Sequence, residues 1–365
     1  MGIPLLDLKA QYLTIKPEID QAVLSVLDSA RFILGPEMKA LEQEIAAYCG
    51  VRDAVAVANG TDALVLVLKA MGIGPGDEVI TSPFTFFASA ETIAQVGATP
   101  VFVDIDPMTL NMDLNQLEDK ITSKTKAIIP VHIFGQMVDV ERVMEIAARY
   151  DLKVIEDAAQ AIGAEYRGRR AGSLGHAGTF SFFPTKNLGG YGDGGMIVTD
   201  DNYLASELRM LRFHGCQTKY YHEKIGYNSR LDEIQAAILR VKLKYLDQWN
   251  EGRRQKAENY DQLLQALSLT LPGRDPLAKP IYHLYVLRTD RRQELMDKLT
   301  AAGIANAIYY PVPLHLQRAF RYLGYKEGDF PVAEKACREA LAIPCYPELT
   351  PEQQETIASV IKNVR

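Results

Sequence analysis

The sequence has 365 residues, 47% of them hydrophobic and 24% charged, which is the composition of a globular protein long enough for two domains. Its 40 Lys and Arg residues against 46 Asp and Glu residues give a net charge of −6, so no nucleic-acid partner is expected. No run approaches the ~20 apolar residues of a membrane span, and the first ten residues do not resemble a secretory signal. We therefore expect a cytoplasmic protein with no membrane-embedded segment.

The cysteines and histidines are scattered along the chain, without the short spacings that metal sites use. We therefore expect no metal, and we interpret His132 and His214 as structural residues. Unpaired cysteines are typical of a reducing compartment, where thiols behave as small buried hydrophobic groups. The four cysteines are Cys49, Cys216, Cys337 and Cys345.

The chain opens with two helices, predicted over residues 16–30 and 36–49 because their apolar residues recur at helical spacing. Short β-branched runs then alternate with helical stretches. These runs predict strands at residues 54–58, 78–81, 100–103, 127–131 and 153–157. Strands that alternate with helices build mostly parallel sheets, so the predicted fold class is α/β.

Two further strands, predicted at residues 179–183 and 196–199, flank a glycine-rich loop. A helix is predicted from Leu231 to about Leu246. The turn-rich stretch at residues 271–280 then marks a boundary in the chain.

Beyond that boundary the pattern predicts a strand at residues 281–287, a helix near 290–302 and a last helix. The last helix opens with a capping box formed by Thr350 and Gln353. We expect a large domain over residues 16–245 and a smaller α+β domain over residues 246–365. Residues 1–15 are expected to pack near the smaller domain.

Lys186 lies between a hydrophobic strand and a run of glycines, where the backbone can bend tightly around a ligand. A lysine in apolar surroundings can lose its proton near neutral pH and act as a nucleophilic amine, as Schiff-base chemistry requires. The alternative is an ordinary solvated loop lysine.

Three other features lie where open α/β sheets build their sites. Asp157 ends a predicted central strand, and a buried carboxylate there needs a cationic partner, although a helix cap is the simpler alternative. Gly60 and Thr61 begin a helix directly after a strand, which makes either an anion site or an ordinary cap. Phe86 offers a ring for stacking on a flat ligand, or a core aromatic.

These features occur in the order 61, 86, 157, 186, and with the motifs ANGTDAL, EDAAQ, SFFPTKN and GYNSRLD the chain resembles the nucleotide-sugar aminotransferases. The resemblance covers essentially the whole chain. It implies a fold type I pyridoxal 5′-phosphate (PLP) transferase, whose large domain has a mostly parallel, seven-stranded mixed sheet. The family makes amino sugars for lipopolysaccharides, S-layers and antibiotics.

The resemblance also implies roles for four residues around the cofactor ring. Lys186 holds PLP covalently as an internal aldimine and later shuttles a proton. Asp157 pairs with the pyridine nitrogen and keeps it protonated. Gln160 bonds the phenolic oxygen side of the ring, and Phe86 stacks on its face.

A second group of residues is implied to bind phosphate and to complete the site across a dimer. Gly60, Thr61 and Ser181 hold the phosphate, helped by Asn228 from a second subunit. Arg230 is expected to cross into the partner's site with Asn228. A homodimer with shared active sites follows from these roles.

The family further implies transfer of an amino group from an amino acid, here L-glutamate, to a keto sugar linked to UDP or dTDP. The pattern of residues 212–232 resembles members that act on carbon 3, and action on carbon 4 is the alternative. Arg230, Tyr310 and His315 are implied to bind the sugar nucleotide, whereas Tyr309 stands where many relatives have histidine.

Two other activities occur in the same fold. Sugar 3-dehydratases resemble these enzymes but have histidine in place of the lysine, and this chain has Lys186. Non-catalytic regulatory relatives are the other alternative. Retention of Lys186, Asp157 and Gln160 together favours the aminotransferase.

Overall fold

A computed structural model of the chain describes residues 2–363. Within those residues the helices are α1 (Leu8–Ser29), α2 (Pro36–Cys49), α3 (Gly60–Ala70), α4 (Ala88–Gln95), α5 (Val140–Arg149), α6 (Asn202–Leu211), α7 (Glu233–Leu243), α8 (Leu246–Leu264), α9 (Arg292–Ala301), α10 (Pro331–Glu339) and α11 (Pro351–Lys362). The strands are β1 (Asp53–Val57), β2 (Glu78–Thr81), β3 (Thr99–Phe102), β4 (Thr125–Ile128), β5 (Lys153–Asp157), β6 (Glu165–Tyr166), β7 (Arg169–Arg170), β8 (Ala177–Ser181), β9 (Gly195–Thr199), β10 (Cys216–Thr218), β11 (Tyr221–His222), β12 (Ala278–Lys279), β13 (Tyr285–Arg288) and β14 (Ala340–Ile343).

The central sheet has seven strands in the order β1-β9-β8-β5-β4-β2-β3. Strand β9 runs antiparallel to both of its neighbours, and the other neighbouring pairs are parallel. The α/β class with a mostly parallel, seven-stranded mixed sheet is therefore confirmed. Parallel order brings the carboxyl ends of β2, β4, β5 and β8 to one edge, where such sheets build their sites.

Helices cover both faces of this sheet, and strand β1 shows why. Its alternate residues Ala54 and Ala56 pack in the cluster that contains Leu41 and Ile45 of α2. Val55 and Val57 pack instead in a cluster with residues of α3 and α6. A strand buried on both faces has no polar alternation, which explains the continuous apolar runs in the sequence.

A separate hydrophobic cluster joins α8, α9 and α11 to the antiparallel pair β13 and β14. Ile3 and Leu6 from the start of the chain pack against this cluster. The division of the chain at residues 245 and 246 stays a prediction. No helix among residues 2–363 combines the length and the apolar character needed to cross a membrane.

Several elements differ from the pattern-based expectations, among them α1, α8 and β13. Helix α1 starts at Leu8 because the Asp7 side chain accepts a 2.9 Å hydrogen bond from Ala10 N, and it continues past Pro17 with non-helical dihedrals at Ile15. The 19-residue helix α8 was not anticipated beyond its first residues. The strand expected at residues 281–287 begins only at Tyr285.

Candidate active site

A cavity of about 450 Å³ lies where β5 and β8 end and α3 begins. It brings together eight of the expected site residues, which are separated by up to 250 positions in the sequence. They are Gly60, Thr61, Phe86, Asp157, Gln160, Ser181, Lys186 and Tyr310. A surface cleft of about 590 Å³ is larger, but its Arg209 and Arg212 are already paired with Asp53 and Glu42.

Lys186 lies in the loop that follows β8, and its backbone N–H donates to Phe183 O at 2.8 Å, which closes a tight turn. Its side chain lines the cavity. Burial lowers the pKa of the Lys186 amine from its ordinary value of 10.5 to about 8, and the nearby Asp157 carboxylate opposes part of that shift. A substantial fraction of the amine is therefore neutral, and nucleophilic, close to physiological pH.

Asp157 is the last residue of β5 and is buried. Its Oδ2 accepts a 2.7 Å hydrogen bond from Ser89 Oγ, and its Oδ1 accepts one from Ala159 N at 3.2 Å. The carboxylate is thus held at a fixed orientation on the cavity wall, where it can pair with a cationic group of a ligand.

Gln160 is held from two sides. Its Oε1 accepts a 2.9 Å hydrogen bond from Phe134 N, and its Nε2 donates to Tyr310 Oη at 2.9 Å. Burial raises the pKa of Tyr310, so its hydroxyl keeps its proton. The ring of Phe86 lies 6.4 Å from that of Tyr310 and is 56% exposed, which leaves a face free for a planar ligand.

The start of α3 forms an anion cradle beside the end of β8. Asn59 caps the helix by accepting a 2.8 Å hydrogen bond from Asp62 N. The earlier N–H groups, of Gly60 and Thr61, have no acceptor within the helix and stay available for a ligand. A Cβ at Gly60 would lie 2.8 Å from Ser181 Cβ, so glycine is required for this close approach.

Three of the expected residues do not line this cavity within the single chain. Asn228 is exposed, and the Arg230 guanidinium lies 5.7 Å from the ring of Phe213. His315 is buried, with its Nε2 bonded to Glu334 at 3.1 Å, so it packs inside the fold and does not face the cavity. The geometry gives no support to a sugar-binding role for His315.

The sequence pattern does not identify Ser89, which bonds the cavity residue Asp157, or His283. Ser89 was overlooked because its contact with Asp157 joins positions 68 residues apart, and only its place three residues after Phe86 pointed to the site. His283 lines the cavity from the loop before β13. The sequence pattern predicts a strand at this position, and the apolar neighbours of His283 give no indication of a site.

Comparison with known proteins places this site in a family. A model of the DegT/DnrJ/EryC1/StrS aminotransferase family matches residues 13–362. A "Pleiotropic regulatory protein" of Geobacillus stearothermophilus is 54% identical over 364 residues, covering 99% of this chain and 98% of that protein. A UDP-N-acetyl-3-dehydro-alpha-D-glucosamine 3-aminotransferase of Acidithiobacillus ferrooxidans is 47% identical, covering 99% of this chain and 97% of that protein.

Among solved structures, the crystal structure of DesV from S. venezuelae in complex with a ketimine intermediate superimposes with a TM-score of 0.97. It is 45% identical, and the match covers 99% of this chain and 98% of DesV. The match extends over the whole fold, including every element that surrounds the cavity. The chain belongs to the DegT/DnrJ/EryC1/StrS aminotransferase family.

Proposed function

We propose that this protein is a PLP-dependent aminotransferase that transfers an amino group from L-glutamate to carbon 3 of a keto-hexose linked to UDP or dTDP. One observation carries the proposal. A single cavity contains the buried Lys186 amine, the Asp157 carboxylate and the N–H groups at the start of α3 that have no acceptor within the helix. Family membership and the 3-aminotransferase relative support the reaction and the carbon.

The cavity fits PLP by the chemistry of its donors. The N–H groups at the start of α3, with Ser181, suit a phosphate, and Gly60 leaves no room for a side chain that would block them. Asp157 suits a protonated ring nitrogen, and Lys186 suits covalent attachment of an aldehyde. When bound, PLP supplies a carbonyl that condenses with amines and a conjugated ring that accepts the electrons of a deprotonated carbon.

Residues of this chain then orient the bound groups and transfer the proton. Asp157, oriented by Ser89 and Ala159 N, stabilises positive charge on the ring side of the cavity. Lys186, once its amine is free, removes and returns a proton at the reacting carbon, which its lowered pKa favours. The Gln160–Tyr310 pair forms a wall beside them and excludes water.

The choice of carbon 3 is tested with a panel of UDP- and dTDP-linked 3-keto and 4-keto sugars. Each sugar is incubated with the holoenzyme and L-glutamate, and the aminated product is detected by mass spectrometry. We expect product from a 3-keto sugar. Product from 4-keto sugars alone would establish the alternative, a 4-aminotransferase.

The proposal includes a homodimer in the cytoplasm, with Asn228 and Arg230 acting in the partner's cavity. It is supported by their position outside their own cavity and by the exposed apolar side chains Phe32, Ile33 and Phe183. Mixing inactive Lys186→Ala chains with inactive Asn228→Ala chains should restore part of the activity, because a mixed dimer would contain one intact site. Failure of complementation in a proven mixed dimer would contradict shared sites.

The "Pleiotropic regulatory protein" relative supports a second candidate, a regulatory role. The two roles differ in what they require of Lys186. A regulator that only binds a sugar nucleotide would keep its effect after Lys186→Ala, whereas an enzyme would lose turnover. Comparing Lys186→Ala with the unaltered protein in an assay of turnover and in an assay of the regulatory effect separates the two roles.

A further inference from the structure

A second chamber of about 220 Å³ adjoins the cavity and has no role in the function described so far. Thr185, His283 and Tyr309 line both spaces. Leu6, Arg253 and Cys345 line the second chamber alone. The chamber is smaller than the ~300 Å³ typical of the smallest drug-sized ligand sites, so it suits a compact molecule or part of one.

Arg253 is the unusual residue of this chamber, because it is a buried cation, 3% exposed, whose side-chain hydrogen bonds among residues 2–363 all go to backbone carbonyl oxygens. Its Nη1 donates to three carbonyl oxygens, those of Tyr282 at 3.2 Å, His283 at 3.3 Å and Cys345 at 2.7 Å. All three acceptors are neutral. Glu348 attracts Arg253 electrostatically, but within residues 2–363 no hydrogen bond joins the two side chains.

The rest of the guanidinium is free to bind. Within residues 2–363, Arg253 Nε and Nη2 make no hydrogen bond, and they are not among the polar atoms sealed inside the protein. They therefore face the chamber that Arg253 lines. A buried, uncompensated charge is costly, and a guanidinium with two free donors matches a carboxylate.

His283 adds no positive charge to the chamber. Asn187 Nδ2 donates to Asn250 Oδ1 and Ile281 O, so Asn187 Oδ1 is the acceptor for His283 Nδ1 at 3.3 Å. Burial, together with the cations Lys186 and Arg253, lowers the pKa of His283 well below 6.5. The ring is therefore neutral, and the chamber presents one net positive charge.

We propose that Arg253 binds a carboxylate of the amino-acid donor in this chamber, so that the donor extends through the shared wall to Lys186. This inference rests on the proposed transamination and assigns a site to one of its two substrates. Thr185, His283 and Tyr309 line both spaces, so a donor whose carboxylate lies on Arg253 would extend past them toward Lys186. The sugar nucleotide then needs no contact with Arg253.

The test separates the two half-reactions of the holoenzyme by stopped-flow absorption. One starts with L-glutamate and the other with the nucleotide-linked amino sugar that the panel above identifies. In Arg253→Lys we expect the half-saturating glutamate concentration to rise about 10- to 100-fold, while the amino-sugar half-reaction stays nearly unchanged. Arg254→Lys is the matched control, since Arg254 lies next in α8 and pairs with Glu251 at 2.7 Å.

Substrate analogues identify the bound group. L-2-aminobutyrate lacks the side-chain carboxylate and 4-aminobutyrate lacks the α-carboxylate, and the penalty of Arg253→Lys should vanish for the analogue that lacks the group on Arg253. Leu6→Phe gives a second variant that fills the chamber without touching Arg253. It should also weaken glutamate alone.

An equal loss in both half-reactions, or unchanged glutamate saturation in both Arg253→Lys and Leu6→Phe, would overturn the inference. Inhibition by glutarate adds a further measurement. Glutarate, which keeps both carboxylates of glutamate, should compete with glutamate, and Arg253→Lys should weaken glutarate by a similar factor. If the unaltered enzyme performs neither half-reaction, the proposed function itself fails, which is a different result from a failure of the Arg253 site alone.

Discussion

Ser89 Oγ donates a 2.7 Å hydrogen bond to Asp157 Oδ2 in the buried wall of the cavity. Because the single hydroxyl hydrogen of Ser89 is used there, the 3.1 Å contact between Ser89 and Thr85 has Thr85 as its donor. A chain of two hydroxyl groups therefore points at the carboxylate. This arrangement fixes the direction of the Asp157 carboxylate.

Removal of that hydrogen bond in Ser89→Ala should lower kcat about 5- to 20-fold, with a smaller change in KM, because the charge-assisted bond contributes about 1–2 kcal/mol. The pH titration of the bound cofactor's absorption should shift as well, because Asp157 is proposed to pair with the ring nitrogen. Thr92→Val is the control, because the Thr92 hydroxyl in the same helix donates to Ala88 O at 2.9 Å and, within residues 2–363, makes no side-chain bond to Asp157. Equal effects of the two variants would refute the role of Ser89.

The pKa of Lys186 gives a prediction about the protein without its cofactor. Burial lowers that pKa to about 8, so the amine is protonated below that pH and neutral above it. The rate of PLP uptake by apoprotein should therefore rise with pH, with a midpoint near pH 8. An unperturbed lysine would place the midpoint near 10.5. Lys186→Ala should show no saturable spectral change at any pH.

Gly60→Ala tests the anion cradle. A Cβ at this position would lie 2.8 Å from Ser181 Cβ, so the start of α3 must move away from the end of β8. We expect PLP to bind roughly tenfold more weakly, as measured by titration of the apoprotein. Gly74→Ala is the control, because the nearest atom to its Cβ would be Val96 O at 3.6 Å. Matching affinities in the two variants would contradict the cradle.

Glu156 gives a prediction about stability. It is fully buried and accepts hydrogen bonds from His132 Nε2 at 2.9 Å, Gly172 N at 2.8 Å and Leu174 N at 2.7 Å. Burial opposes its ionisation, but the bonds from His132 and the backbone outweigh that cost and lower the pKa of Glu156. Its contribution is therefore present at neutral pH and is lost in acid, as the pH falls through that lowered pKa.

Glu156→Gln should lower the free energy of unfolding by about 2–4 kcal/mol at pH 7, because an amide cannot accept all of these bonds. The measurement is urea denaturation at pH 7 and again in acid, where the difference from the unaltered protein should shrink. Glu141→Gln is the control, since that partly exposed side chain only pairs with Arg167 at 3.3 Å. A difference between Glu156→Gln and the unaltered protein that did not depend on pH would contradict the assigned charge.

The sequence was sufficient for the parts of the fold that follow from local pattern. Strands β2 and β5 have the predicted bounds, and Thr350 and Gln353 form the capping box as expected. Helix α8 was harder, because its many charged residues weaken the apolar stripe that reveals a helix. Its inward residues are interpretable only once their partners in β13 and β14 are known.

Asp157 and Lys186 could be predicted from the sequence, because an acidic residue or a lysine at or just after the end of a predicted strand indicates a site in this class of sheet. The contacts that orient such residues could not. Ser89 and Arg253 reach their partners from distant parts of the chain, and neither has a spacing that distinguishes it from an ordinary helical residue. The sugar-binding role that the motif resemblance implies for His315 stays a prediction, and the fold buries that ring against Glu334.

The most direct test of the central claim is to locate the cofactor on the chain. The holoenzyme is reduced with borohydride and digested, and the modified peptide is identified by mass spectrometry, with and without prior incubation with L-glutamate. We expect one phosphopyridoxyl group, on Lys186, that is greatly reduced after glutamate treatment because the amine has been released. A label spread over surface lysines, or one on Lys186 that glutamate does not diminish, would contradict the proposed role of Lys186.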